Sequence, residues 1–348
     1  MDRSTDTGSD PLRHIARWDL DKTYLRTEFD TLRDLVRTAF ERPDEKRTNP
    51  GAATLLREMV RAGISVHILS GSPEQMRRKL EDKLRLDGIK WDSFTLKPNL
   101  QNALRLRFRA IKDQLGYKLP ALLHARAKAT PPAAGTTGVR RETLFGDDAE
   151  ADAFVYSLYA DTVSGHVEED ALLEICEQGR LYPDVTEDIM RTAQQLEHAE
   201  VVERILIHLE RQTPPDTFRI YGGRVIPFYN YLQAAFVVFE DGRLSGDAVL
   251  RVGVELLVQH RFDGEGLARS YLDLARRGHL RGTGIDELEK SLERLEGEKL
   301  PAFTELRRMM ARLPKMAEAA KDTFRGNDQP LPDYVSLVAR HNPRKKKS

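Results

Sequence analysis

The chain lacks several features that would narrow its function at once. It has a single cysteine, Cys176, in 348 residues, which excludes an internal disulfide framework and fits a reducing compartment. In the apolar stretch 172–176 that thiol reads as a small buried side chain rather than a reactive one. Net charge is also missing: 55 Lys and Arg balance 55 Asp and Glu, so no global field draws the chain toward nucleic acid or an anionic membrane. No apolar run approaches the length of a membrane span. Residues 1–10 are polar with no apolar core, so neither a transmembrane segment nor a signal peptide is expected, and the expected location is the cytoplasm. No fixed-period repeat is visible. His198, His208 and His260 are too scattered in the sequence to suggest a metal site.

What is present is a chain longer than one ordinary core needs, with a hydrophobic fraction of 40%, enough for a globular interior and for two domains. The first half alternates strand and helix signals, the pattern that builds a parallel sheet. Strands are expected at 15–18, 64–69, 91–96 and 142–145. Helices are expected around Leu32, Leu35, Val36 and Phe40, over 52–61 with Gly63 as its stop, after Ser72-Pro73 as cap and first residue, and from about 100 to 127. The stretch 129–138 reads as loop. From about 167 the texture turns helical, with apolar spacing near the helical period at 196–209, 249–258, 267–274 and 285–295. The expected organisation is a disordered N-terminus (1–11), an α/β domain with a Rossmann-like parallel sheet (12–165), a mostly α-helical domain of unassigned role (166–340) and a basic tail (341–348). The tail, with Arg344-Lys345-Lys346-Lys347, reads as solvated; peripheral contact with phosphate or acidic lipid is the functional alternative.

Two short acidic strings carry the chemistry. Asp19-Leu20-Asp21-Lys22-Thr23 and Gly146-Asp147-Asp148-Ala149-Glu150-Ala151-Asp152 each follow a strand signal, and the carboxyl edge of a parallel sheet is where such folds bind ligands. Carboxylates gathered there suit a hard divalent cation with oxygen ligands, and one of them can attack phosphorus as a nucleophile. Asp19 is the candidate nucleophile and Asp21, two residues on, the candidate general acid and base. Asp19, Asp147 and the main-chain carbonyl of Asp21 are the expected Mg²⁺ ligands, with Asp148 and Asp152 beside them. Ser70 and a lysine would bind the phosphoryl oxygens. Lys112 and Lys118 are both available on the helix before the fourth strand; six steps of about 100° turn them about 120° apart, so only one of them can serve.

These residues, in this order, resemble the haloacid dehalogenase-like phosphatase superfamily: Asp19, Asp21 and Thr23 after the first strand, Ser70 after the second, a lysine upstream of the fourth, and Gly146, Asp147 and Asp152 after it. More narrowly, Ser70-Gly71-Ser72-Pro73 and the spacing from Gly146-Asp147 through Asp152 to Tyr156 resemble the catalytic domain of the actin-patch phosphatidate phosphatases. The resemblance covers roughly residues 12–165. It favours Lys118, which stands between Gly116-Tyr117 and Leu119-Pro120, over Lys112. Lys22 departs from the acidic residue common at that position in the narrower family. The resemblance implies a haloacid dehalogenase-type sheet with a minimal cap and a Mg²⁺-dependent phosphomonoester hydrolase working through an aspartyl-phosphate. The open site it implies suits a lipid or macromolecular substrate. Asp21 argues against dehalogenation, because a halide needs no proton to leave.

Two other readings stay open: a non-catalytic interaction protein in which the first domain is a scaffold, and a phosphotransferase that passes the phosphoryl group to an acceptor other than water. In the second half the string from Arg219 to Tyr231 is the most unusual, with aromatics, a Gly pair and two arginines. It reads as a connecting turn with core aromatics, or as a phosphate-binding or partner-binding loop using Arg219 and Arg224. Leu288, Leu292 and Leu295 read as a core face rather than a coiled coil.

Overall fold

The computed structural model describes residues 12–26, 47–97, 111–129, 138–296, 302–326 and 331–341. The expected N-terminal segment, the helix at 32–40, the first part of the helix at 100–127, most of the loop at 129–138 and Arg344 to Lys347 lie outside the described residues.

Six strands form one parallel sheet: β1 (Ile15–Asp19), β2 (Ser65–Pro73), β3 (Ser93–Lys97), β4 (Glu142–Asp147), β5 (Val202–His208) and β6 (Val225–Phe228), in the order β3-β2-β1-β4-β5-β6. This is the order of a Rossmann-like sheet, with β1 at the centre and the reversal of direction between β1 and β4. Every residue of β1 and β4 is buried, as expected of strands covered on both faces. One face is covered by α1 (Ala52–Arg61), α2 (Arg77–Leu86) and the later helices α7 (Tyr231–Glu240), α8 (Gly246–Gln259), α9 (Gly264–Arg276), α10 (Ile285–Glu296), α11 (Phe303–Met310) and α12 (Leu313–Thr323). The other carries α3 (Ile111–Ala127), α4 (Asp152–Val163), α5 (Glu169–Gln178), α6 (Pro183–Gln194) and α13 (Tyr334–His341). Trp18 and Phe145, neighbours on β1 and β4, stack at 4.0 Å between centroids, and Tyr231 adds a third ring at 5.8 Å from Trp18.

Three expectations are corrected. The strand signals do not stop near residue 166: β5 and β6 extend the same sheet to Phe228, and the expected helix at 196–209 gives way to strand β5 over 202–208, whose Ile205-Leu206-Ile207 is an apolar run buried on both faces. Ser72 does not cap a helix. β2 runs on through Pro73 to a 3₁₀ turn at Glu74–Met76, because the Ser72 hydroxyl is drawn to a buried carboxylate. The Arg219 to Tyr231 string is not a turn between helices, although its aromatics Tyr221, Phe228 and Tyr231 are buried as expected. It contains edge strand β6; Arg224 pairs with Asp161, while Arg219 pairs with Asp216 on the surface. Leu288, Leu292 and Leu295 are buried as a core face, and Cys176 is buried with its thiol pKa pushed up to about 12 by desolvation. Among the described residues no helix is long and apolar enough to cross a membrane.

Helix α8 is tied to α1 along its length. The backbone N–H of Gly51 donates to Glu255 at 3.0 Å, and Arg251 pairs with Glu58.

Candidate active site

β1 ends at Asp19, in the centre of the sheet, and β4 ends at Asp147 beside it. Both side chains are fully buried. After Asp19 the chain turns sharply, with Lys22 in the left-handed region at φ 59°, a conformation costing roughly 1 to 2 kcal/mol for a residue with a side chain. The turn is held from outside. The Asn49 side-chain amide donates to the carbonyls of Lys22 (2.9 Å) and Thr23 (2.7 Å), and the Tyr231 hydroxyl donates to the Thr23 carbonyl. Protonated on Nδ1, His208 also reaches the Lys22 carbonyl, at 3.4 Å.

The turn brings Asp21 to the end of β2. Its Oδ2 accepts from the hydroxyls of Ser70 and Ser72, each at 2.8 Å, and the Ser72 N–H in turn donates to Ser70 Oγ at 3.0 Å. The register shift of β2 against β3 between Ser70 and Pro73 marks the point where pairing gives way to this local network. Ser70 therefore orients Asp21, and its hydroxyl proton is already committed there.

On the other side, α3 presents Lys118. Its ammonium lies 3.0 Å from Asp19 Oδ1 and 3.1 Å from Glu150 Oε2, and also bonds Asp152. Lys112 is elsewhere, with its Nζ 4.0 Å from the centre of the Tyr182 ring. Asp152, the first residue of α4, is engaged through both oxygens, to Lys118 and, at 3.1 Å, to the N–H of Asp147. Asp147 Oδ1 accepts from the N–H groups of Ala149 (2.6 Å) and Glu150 (2.9 Å), while its Oδ2 is buried with no hydrogen-bond partner. Asp19 Oδ2 accepts from Thr23 at 3.2 Å; its Oδ1 has the Lys118 ion contact but no hydrogen bond of good angle. Asp148 points away: its two oxygens accept from the N–H groups of Arg211 (2.8 Å) and Thr213 (2.9 Å), which fastens the loop after β5 and leaves it no role at a metal.

The electrostatics follow from this crowding. Burial pushes the Asp19 carboxyl well above the usual carboxylate range; Lys118 opposes the push, and Asp152, Glu150 and Asp147 add to it. Burial does the same to Asp147, reinforced by Glu150 and Asp152. For Lys118 burial works against the charge, but Asp152, Asp19 and Glu150 outweigh it and hold the ammonium well above the ordinary lysine value.

Carboxylate oxygens of Asp19, Asp147 and Asp152 lie within 4.8 Å of one another. Three buried carboxylates and the half-buried Glu150 act on Lys118, with Lys22 acting on Asp147 from nearby. The cluster is short of positive charge, and its two orphaned oxygens belong to different strands. Hard oxygen ligands with room for waters and a substrate oxygen suit Mg²⁺. The residues that could hold such an ion are Asp19 and Asp147, with Asp152 beside them.

Glu150, Ser72, Asn49 and Tyr231 are not among the residues that the sequence assigns to the site; Ser72 is expected there only as a helix cap. Ser72 was within reach of that assignment, because residues two apart on a strand share a face and Ser70 was already a candidate. Asn49 and Tyr231 carry no local signal. Comparison with protein-family models, with curated proteins and with solved structures finds no match.

Proposed function

We propose that this protein is a Mg²⁺-dependent phosphomonoester hydrolase that works through an aspartyl-phosphate on Asp19. The observation that carries the reading is the pair of buried carboxylates at adjacent strand ends: Asp147 Oδ2 has no hydrogen-bond partner, and Asp19 Oδ1 has only the ion contact with Lys118. Most buried carboxylate oxygens are hydrogen-bonded. The haloacid dehalogenase-like order of Asp19, Asp21, Ser70, Lys118 and Asp147 in the sequence supports the same reading.

In the proposed reaction an Asp19 oxygen bonds phosphorus as the ester P–O bond breaks, and Asp21 gives a proton to the leaving oxygen. Asp21 then takes a proton from the water that attacks phosphorus and releases Asp19. Ser70 and Ser72 fix the Asp21 carboxyl by one oxygen, leaving the other for the proton. Lys118 stabilises charge on the phosphoryl oxygens. Mg²⁺, when bound, neutralises phosphate charge and screens the approach of one anion to another. The turn at Lys22, clamped by Asn49 and Tyr231, fixes Asp21 relative to Asp19 for these two roles.

The test is turnover of p-nitrophenyl phosphate together with thermal melting. Activity should require Mg²⁺ and vanish in EDTA, and Mg²⁺ should raise Tm. Asp147→Asn should lose the Mg²⁺ shift and reduce activity by orders of magnitude. Activity that survives EDTA, or a Tm indifferent to Mg²⁺, would remove the metal from the account.

A further inference from the structure

Lys97, the last residue of β3, stands at the catalytic edge of the sheet opposite Pro73 of β2, one residue beyond the Ser72 that holds Asp21. It is half-buried, yet among the described residues it forms no ion pair. Asp113 is its strongest carboxylate neighbour, with Glu150 next and Lys118 near enough to repel it. Its ammonium lies 5.6 Å from the ring centre of Tyr117, the residue before Lys118 on α3. The Tyr117 hydroxyl is itself buried with no hydrogen-bond partner, in a position that feels the charges of Lys118, Asp19 and Asp21. A half-buried cation with no ion pair among the described residues and a buried hydroxyl without a hydrogen-bond partner each gain from a ligand that completes them. Here they are neighbours.

We propose that Lys97 and Tyr117 form a subsite for an anionic substituent on the leaving group, so that the preferred substrates are phosphomonoesters whose alcohol carries a second acidic group, a carboxylate or another phosphate. This rests on the phosphatase reading and specifies its substrate class. The placement follows from Asp21. The leaving oxygen must lie beside the group that protonates it, and the Ser70–Ser72 turn holding Asp21 is paired with the strand end that carries Lys97. Lys118 does not serve this purpose, because its ammonium lies against Asp19, the proposed nucleophile, and so on the phosphoryl side rather than beside the leaving group. A leaving group with only hydroxyls or acyl chains, as in a diacylglycerol phosphate, offers Lys97 no partner.

The experiment compares phosphoglycolate with ethyl phosphate, two small esters that differ by a carboxylate near the leaving oxygen. The wild-type protein with Mg²⁺ should favour phosphoglycolate in kcat/KM by at least about tenfold, the scale of one charge-assisted hydrogen bond. Lys97→Met should lower kcat/KM for phosphoglycolate about ten- to a hundredfold, mostly through KM, and for ethyl phosphate by less than about threefold, so that the preference collapses. Tyr117→Phe, which keeps the ring and its packing, should narrow the preference in the same direction. Equal kcat/KM for the two esters in the wild type, or a loss in Lys97→Met shared equally by both, would overturn the subsite while leaving the phosphatase reading intact. Hydrolysis of neither ester by a protein that turns over p-nitrophenyl phosphate would overturn the subsite alone, and turnover of none of the three esters, with or without Mg²⁺, would overturn that reading and the subsite with it.

Discussion

Asp19 and Asp147 are held against their own electrostatics. Both are fully buried and pushed upward in pKa by desolvation and by each other's neighbours, so the ionised forms are tolerated only because Lys118, and in our account Mg²⁺, stand beside them. The sign of the consequence is fixed by linkage. A carboxyl whose folded pKa is raised makes the native state bind more protons than the unfolded one, so metal-free stability falls as pH rises from the ordinary carboxylate range through the raised value. Asp19→Asn should therefore melt above the wild type near neutral pH in EDTA, with the gap closing on acidification, while hydrolysis is lost because an amide cannot form the acyl phosphate. Melting curves over a pH series check this; a variant less stable than the wild type at neutral pH would contradict it. Lys118 and Lys112 give the second residue-scale prediction. Lys118→Ala should lower kcat/KM at least about a hundredfold, the equivalent of roughly 2 to 4 kcal/mol of transition-state stabilisation. Lys112→Ala, which removes only a cation resting on Tyr182, should stay near wild type.

At the scale of elements, the site is made by strand ends and by what fastens them. Gly146, just before Asp147, is required by contact rather than by its backbone angles: a Cβ there would lie 2.5 Å from Asp152 Oδ2. Gly146→Ala should displace the Asp152 side chain that bonds both Lys118 and the Asp147 N–H. The expected outcome is a reduced Mg²⁺-induced rise in Tm and lower activity in a protein that still folds; an unchanged Mg²⁺ response would remove Asp152 from the organisation of the site. Elements also show what was legible in advance. The two acidic strings sat at strand ends and were readable because their meaning is local: β-branched or aromatic residues, then carboxylates. Strand β5 was misread because the apolar residues before it, Leu196 and Ala199, extend a chance helical spacing into Ile205-Leu206-Ile207, and a short apolar run does not itself distinguish a buried strand from a buried helix. Asp148 was assigned to the metal by proximity in sequence. Its actual partners, Arg211 and Thr213, lie 63 and 65 residues away, a pairing visible only once β5 is next to β4.

Across the whole molecule, helices α7 to α12 lie on one face of the sheet and α7 sends Tyr231 to the turn that follows Asp19, so the second half of the chain helps to shape the candidate site. The same interior holds histidines in neutral form. His279 has its pKa lowered to about 3 by burial and by Arg277, Arg204, Arg325 and Arg219, and burial lowers His208 to about 4. A depressed folded pKa contributes stability that is present above the unfolded value of about 6.5 and lost as pH falls through the folded value. The stability advantage of the wild type over His279→Gln should therefore shrink by about 1 to 2 kcal/mol between about pH 7 and about pH 5, measured by denaturant unfolding. A constant difference across that window would contradict a neutral buried His279.

The central claim, covalent phosphoryl transfer to Asp19, is tested most directly by acid-quenching the protein during Mg²⁺-dependent turnover of a radiophosphate-labelled ester and locating the label after proteolysis. The account predicts label on the peptide containing Asp19, present with Mg²⁺, absent in EDTA and absent from Asp19→Asn. Turnover with no protein-bound phosphate, or label that persists in Asp19→Asn, would contradict it.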